Sequence, residues 1–365
     1  MPAPDSDLAA RSVASCGAPP IDAVAATELW YGSTGYDLAS GLRACNWRID
    51  GVELREFDPA GRSLPHRATA RALRPYFLRR YNNAIIEAVE RIGAKIMLTV
   101  KGNFITARTL EELGRRGVVR LVYYPDYHFD HPGVTEEKFA HFDLIVTTKS
   151  FQVDALAAIA GRDRVVFLHH GYSSVGMPAE TDAPADMLWD VCFVGNASPH
   201  KLSYLQAVAA RLPAIRMLVV GNGWEIARGT PLESKVLGYP LIGDFLSRLA
   251  ARSRINLAVH FGTHARTGWE DFVSRRTFEI PAYGGFMLHI DNQEVRELYN
   301  VGNEIDVFST PAQLAEKVAY YLNNLDLART AAQRASERAN PAYSITQRAC
   351  SIDELVRIRF PGVVA

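Results

Sequence analysis

Ser274-Arg275-Arg276-Thr277-Phe278-Glu279, followed by Ile280-Pro281-Ala282-Tyr283-Gly284-Gly285-Phe286, is the stretch on which the reading of this chain rests. Ser274 is a good N-cap residue, because its hydroxyl can accept from an amide of the turn that it opens. The first turn of a helix has amides without intrahelical partners at the positive end of the helix dipole. Arg275 and Arg276 add charge there, so this turn, which includes Thr277, suits a diphosphate. Glu279 stands about one turn further on, where a carboxylate can accept two hydrogen bonds from ribose hydroxyls. Gly284 and Gly285 stop the helix and let a strand at 286–290 begin close by.

Outward from this helix, short β-rich apolar runs alternate with longer amphipathic stretches, the pattern of parallel sheets covered by helices on both faces. In the second half, strands are predicted at 191–194, 215–220, 255–259, 286–290 and 305–308. A helix is predicted over Pro311–Asn323, where Leu314, Val318 and Leu322 make one apolar stripe. The first half repeats the alternation, with strands predicted at 28–31, 52–57, 96–100, 119–124, 144–147 and 165–168. Residues 171–184, rich in Gly, Ser, Pro and Asp, carry no periodicity and read as an interdomain linker with a hinge. The expected organisation is a flexible tail over 1–26, a Rossmann-like domain over 27–170, the linker, and a second Rossmann-like domain over 185–340. A final segment, 341–365, holds a helix at 345–359 that returns to the first domain.

Ser-x-Arg-Thr-Phe-Glu followed by Ala-x-Gly-Gly-Phe resembles the donor-site signature of the group 1, CgeB-like glycosyltransferases. Tyr31-Gly32-Ser33, Phe142-Asp143-Leu144 leading to Thr147-Thr148-Lys149-Ser150, His170-Gly171 and Phe193-Val194-Gly195-Asn196 are similar to that family in order and spacing. The resemblance runs from Trp30 to the last helix. It implies an α/β fold of GT-B architecture, two Rossmann-like domains with parallel sheets facing across a cleft, and transfer of a sugar from a nucleoside diphosphate sugar without a metal. Retaining relatives carry two glutamates eight positions apart, and here Asp271 stands eight positions before Glu279, one methylene shorter. By this resemblance Glu279 holds the ribose, Asp271 lies near the sugar and the outcome is retention.

Other candidates follow strand ends, where open α/β sheets bind their ligands. Gly195, Asn196 and Lys201 follow the first strand of the second half, with Lys201 placed to neutralise a phosphate; Gly221 and Asn222 follow the next strand and suit contact with the base. An ordinary strand-to-helix turn explains Ser198 and His200 equally well. In the first half, Gly32, Ser33 and Tyr36, with His170 at the linker, are candidates for the acceptor or the sugar, and a plain turn is the other reading. Asp126 and His128 follow a strand and are candidate groups to orient or deprotonate an acceptor hydroxyl. With Asp271 and Arg276 they make up the candidate catalytic set.

Composition narrows the function classes. The 365 residues carry 40 Lys plus Arg and 40 Asp plus Glu, so no global charge draws the chain to nucleic acid. No segment reaches the roughly 20 apolar residues of a membrane span, and the tail lacks the apolar run of a signal peptide. The cysteines Cys16, Cys45, Cys192 and Cys350 show no paired spacing, which fits a reducing, cytoplasmic compartment better than disulfides or zinc. His260 with His264, and His128 with His131, have metal-like spacing but leave strands as loops, and Asp5 and Asp7 lie in the tail, so no metal site and no cofactor is expected. An NAD-dependent dehydrogenase is disfavoured, because Gly32-x-x-Gly35 with Asp58 lacks the full dinucleotide fingerprint. A nucleotide-sugar epimerase, a phosphorylase and a catalytically degenerate nucleotide-binding protein share the architecture and stay open as alternatives. The acceptor, whether glycan, lipid-linked, natural product or protein, is not legible.

Overall fold

The computed structural model describes residues 18–57, 64–129, 135–174, 186–241 and 243–363, with the backbone alone over 64–70. The chain divides into two compact units, residues 1–170 with 345–365, and residues 171–344. The first unit is built from β1 (Ile21–Thr27), α1 (Thr34–Ala44), β2 (Trp47–Glu53), α2 (Leu64–Ile92), β3 (Ile96–Val100) and α3 (Ala107–Arg115). It continues through β4 (Val119–Tyr124), β5 (Leu144–Thr147), α4 (Val153–Ala160) and β6 (Val165–Phe167). Its six-stranded sheet has the order β2-β1-β3-β4-β5-β6, parallel throughout. Ile96, Met97 and Leu98 of β3 are buried, as a strand covered on both faces requires.

Two first-half strands depart from the sequence reading. Residues 21–26, assigned to the tail, form most of β1, and 28–31 is the loop that follows it. Alanine is a poor strand former, so Ile-Asp-Ala-Val-Ala-Ala-Thr gave a weak signal. Small side chains nevertheless suit this strand, which pairs with β2 and β3 and is buried from Ala23 to Ala26. β2 spans Trp47–Glu53 rather than 52–57, because Asp50-Gly51 reads as a turn but here lies in an edge strand, in register with Val24 and Ala25. Residues 1–17, with Asp5, Asp7 and Cys16, lie outside the described residues, as do Asp58 and His131.

The second unit comprises β7 (Trp189–Val194), α5 (Pro199–Arg211), β8 (Met217–Val220), α6 (Asp244–Ala251), β9 (Ser253–Ala258), α7 (Arg275–Ala282) and β10 (Met287–Ile290). It ends with α8 (Gln293–Leu298), β11 (Asp306–Phe308), α9 (Pro311–Asn323) and α10 (Leu325–Ala339). The five-stranded parallel sheet runs β11-β10-β9-β7-β8, with β7 pairing both β8 and β9. α9 has the span its periodicity predicts; Thr310 caps it by accepting from Gln313 N, and its apolar stripe, Leu314 and Val318, is buried beside Val191, Phe193 and Phe308. Residues 175–185, most of the expected linker and its hinge, lie outside the described residues. Among the described residues no helix is long and apolar enough to cross a membrane.

The last helix, α11 (Ile345–Arg359), belongs to the first unit and packs on α1. Its Ile345, Ala349, Ile352 and Val356 share a core with Leu38, Leu42 and Trp47. Trp47 Nε1 donates to Asp353 Oδ1 at 2.7 Å, which pins the helix to the start of β2. The fold also brings together two cysteines that the sequence leaves far apart, with Cys45 Sγ and Cys350 Sγ 3.0 Å from one another as free thiols. Gly41 sets the approach of the helices, since a Cβ there would lie 2.8 Å from Ala349 Cβ and 3.2 Å from Thr346 Cα. Replacing Gly41 by Leu is therefore expected to destabilise the protein by about 1–3 kcal/mol or more in denaturant unfolding. Gly362→Ala, where a Cβ meets nothing within 4 Å, should be neutral.

Candidate functional site

The carboxyl ends of β7 and β9 carry the most organised polar cluster of the second unit. Arg276, the second residue of α7, donates from Nη1 to Val194 O at 2.8 Å and from Nη2 to Val259 O at 3.1 Å. One guanidinium thus joins the ends of two neighbouring strands, and its Cζ lies 5.3 Å from the ring centroid of Phe193. Residue 195 must be glycine beside it, because a Cβ there would come within 2.5 Å of Arg276 Nη1. Gly221 is required in the same way, since its Cβ would lie 2.2 Å from Gly195 O. The two loops are laced further by Trp224 Nε1 donating to Gly195 O at 2.9 Å and by Asn222 N donating to Asn196 Oδ1 at 3.2 Å.

Lys201 rises from the first turn of α5, which Ser198 caps by accepting from Lys201 N at 3.2 Å. Its side chain is 1 % exposed. Nζ donates to Asn196 O at 2.9 Å and lies 3.5 Å from the centroid of Phe261. Burial, and then the charge of Arg276, push its ammonium down to about 6, with Asp271 opposing. The same burial and the neighbouring Lys201 hold His200 below its ordinary value. Asp271 is buried, with Oδ2 3.8 Å from His260 Nδ1. Lysine, arginine and aspartate from three separate segments therefore meet at one place.

α7 begins where the sequence reading put it. Ser274 is its N-cap residue, and Ser274 N donates to Thr277 Oγ1 at 3.1 Å. Glu279 is largely buried and ion-paired with Arg275 one turn before it. Thr277 Oγ1 also lies 2.9 Å from His289 Nε2, and Tyr299 Oη donates to Thr277 O at 3.0 Å. His289 stands 2.6 Å from Ile290 O through Nδ1, and that carbonyl can only accept, so Nδ1 carries a proton. Burial holds the ring down to about 4, so it is neutral near pH 7 and Nε2 is an acceptor. The proton between His289 Nε2 and His260 Nε2, 2.9 Å apart, therefore belongs to His260.

This histidine pair was missed in the sequence, where His289 read only as part of a strand and His260 only as a partner of His264. His264 instead bonds Thr267 Oγ1 through Nδ1 at 2.9 Å, so the two do not share a ligand position. Arg276 was expected at the diphosphate; both its terminal nitrogens are engaged by strand carbonyls, which makes it the organiser of the loops. Gly195 and Gly221 likewise serve loop packing.

The first-unit candidates stand at separate strand ends. Ser33 caps α1, accepting from Tyr36 N at 3.1 Å and donating to Glu28 O at 2.9 Å, while Gly32 has φ 84 and Tyr36 packs 5.7 Å from Tyr31. After β4, Asp126 pairs with Lys101 Nζ at 2.9 Å, and His128 O accepts from Tyr124 Oη at 2.6 Å. His170 is buried with its ring edge-on to Tyr123 at 6.0 Å. The Ser33 hydroxyl is buried and used twice within the chain, as a plain turn capping a helix requires.

His289 gives the site a pH signature. Between about 4 and its ordinary 6.5 the unfolded chain binds a proton that the folded chain refuses, so stability falls as pH falls through that window. The loss reaches about 3 kcal/mol at the acid end, and His289→Leu should flatten that part of the profile in chemical unfolding measured from pH 7 to pH 4.

Residues 202–354 match the sequence model of a family described as glycosyl transferase-like. No curated protein matches the chain by sequence. Among solved structures, a glycosyltransferase from Rickettsia africae superposes with a TM-score of 0.62 at 13% identity, covering 94% of this chain and 98% of that one. Sucrose-phosphate synthase from Thermosynechococcus elongatus gives 0.59 at 14% identity, covering 94% and 100%. Anabaena HepE in complex with UDP gives 0.59 at 12% identity, covering 93% and 100%. At such identities the likeness speaks for the fold, two Rossmann-like parallel-sheet domains of GT-B type. Sequence likeness to the glycosyl transferase-like family is thus confined to residues 202–354, and what the whole chain shares with these structures is the GT-B fold.

Proposed function

We propose that this protein moves a sugar from a nucleoside diphosphate sugar to an acceptor hydroxyl, with the donor diphosphate held in the second unit between the N-terminus of α7 and Lys201. The observation that carries this is the buried Lys201, held down to about 6 beside Arg276 at the carboxyl ends of β7 and β9. A buried ammonium is costly, and an amine pushed toward neutrality by burial regains its charge beside an anion. A diphosphate beside Lys201 restores its proton, and the α7 amides and the cluster charges then stabilise the leaving group as the glycosidic bond breaks.

On this reading Glu279, which lies one turn into α7 with Arg275 as its partner, takes the ribose hydroxyls. We assign the chain to the CgeB-like branch, with a metal-independent, retaining reaction, on the donor-helix signature and the Asp271 to Glu279 spacing. In a front-face path the departing phosphate takes the acceptor proton, and no separate base is required. The UDP held by HepE makes UDP the first nucleotide to try.

Thermal stabilisation by UDP, GDP, TDP, ADP and CDP at one fixed salt concentration tests the donor site. One nucleotide should give a selective rise, reaching about 2.7 kcal/mol at a hundredfold excess over Kd, and Glu279→Ala and Lys201→Met should each abolish or strongly reduce it. Because Lys201 takes up a proton on binding, affinity should tighten as pH is lowered from about 8 toward 7, by up to tenfold per unit, with a component absent in Lys201→Met. A response indifferent to both substitutions would sink this placement of the donor.

A further inference from the structure

Residues 59–86 hold no aspartate or glutamate, in a chain whose 40 basic and 40 acidic residues cancel as a whole. The same stretch carries Arg62, Arg67, Arg71, Arg74, Arg79 and Arg80. Within it, α2 is exposed at every residue from 71 to 76, more than a full helical turn, so among the described residues none buries a side of that turn. Two of those residues are large and apolar, Leu73 at 44% and Tyr76 at 55% exposure. Among the described residues, Arg71, Arg74, Arg79 and Arg80 form no ion pair; Arg74 lies 5.0 Å over the Phe104 ring, and Arg80 lies 5.8 Å from Phe57 and 5.9 Å from Tyr76. Guanidinium groups resting on aromatic rings keep their N–H edges available to an anion.

We infer that residues 71–80 of α2 dock the protein on an anionic lipid surface. A helix that interleaves arginine with exposed leucine and tyrosine suits a bilayer interface, where apolar side chains enter the acyl boundary and cations meet the phosphates. The arginines answer a negative surface, and the exposed Leu73 and Tyr76 answer an apolar one, which a soluble polyanion does not offer. Beside the helix, between α2 and α3, an open groove of about 650 Å³ is lined by Arg79, Arg108 and Asn83, with Glu112 and Arg116 paired to one another at its far side, which leaves Arg79 and Arg108 as its cations for a phosphate head group. Among the described residues no helix is long and apolar enough to cross the bilayer, so the docking proposed for α2 is at its surface. Phe104, under Arg74, lies in the loop after β3, so docking brings the carboxyl edge of the first sheet toward the lipid. On the glycosyl-transfer reading, and resting on it, the acceptor hydroxyl is then borne by a lipid.

Sedimentation of the full chain with sucrose-loaded vesicles, of phosphatidylcholine alone or mixed with phosphatidylglycerol, tests the docking. The protein should sediment with the anionic vesicles and not with the neutral ones, and less so as added salt shortens the screening length. Arg71→Gln with Arg74→Gln should weaken partition by about fivefold per arginine and flatten its salt dependence. Leu73→Ser with Tyr76→Ser should weaken it at every salt concentration. Both pairs lie on the surface, and an unchanged circular dichroism spectrum and unfolding midpoint would show that they fold. Absence of anionic-vesicle binding, equal binding to neutral vesicles, indifference to both variants, or capture by nucleic acid without vesicle binding would each overturn the inference. The nucleotide titrations contain no lipid. Vesicle binding without nucleotide binding would remove only the transferase reading, and nucleotide binding without vesicle binding would remove only the docking.

Discussion

One guanidinium fixes the second unit's working edge. Arg276 holds the carbonyls that end β7 and β9, and almost everything polar nearby follows from where it sits. Gly195 lacks a side chain because Arg276 occupies the space, and Gly221 lacks one because Gly195 is then pressed against it. Lys201 is kept low in part by the same charge, and the His260–His289 pair lies against the Arg276 end of α7. Donors already spent on strand carbonyls contribute less to direct ligand recognition than to holding other groups in place, and pre-set geometry of that kind is what a transferred charge needs.

Much of this edge was legible. Ser274, Glu279 and Gly284-Gly285 marked a helix start, a carboxylate one turn in and a stop, because capping and termination are local chemistry written in adjacent residues. The role of Arg276 was not legible, since nothing in Arg-Arg says which one turns inward; that is decided by β7, some eighty residues earlier. His289 was hidden for a related reason. A histidine in Met-Leu-His-Ile looks like a strand residue, and its meaning comes from His260 across the sheet. β1 escaped because its strand character comes from burial between two neighbours rather than from its alanines.

The two units use their strand-end loops differently. In the second, the loops after β7 and β8 are tied to each other and to α7, which gives a rigid cluster of charge. In the first, Ser33 is engaged as a helix cap and Asp126 as the partner of Lys101, so two of the polar groups that sequence alone pointed to are bonded within the chain. The uncommitted charge of that unit sits instead on α2, whose arginines have rings rather than carboxylates for neighbours. Donor chemistry and surface chemistry are thus written in different alphabets, one of buried cations and one of bare ones.

The place of α11 also sets an order of assembly. Residues 171–344 form one uninterrupted unit, whereas the first unit is completed by a helix that follows it in the chain. During synthesis the core around Leu38, Leu42 and Trp47 waits without Ile345, Ala349, Ile352 and Val356 until the whole second unit has been made. The later-made unit is therefore contiguous in the chain, and the earlier-made one closes its core only when its last helix arrives.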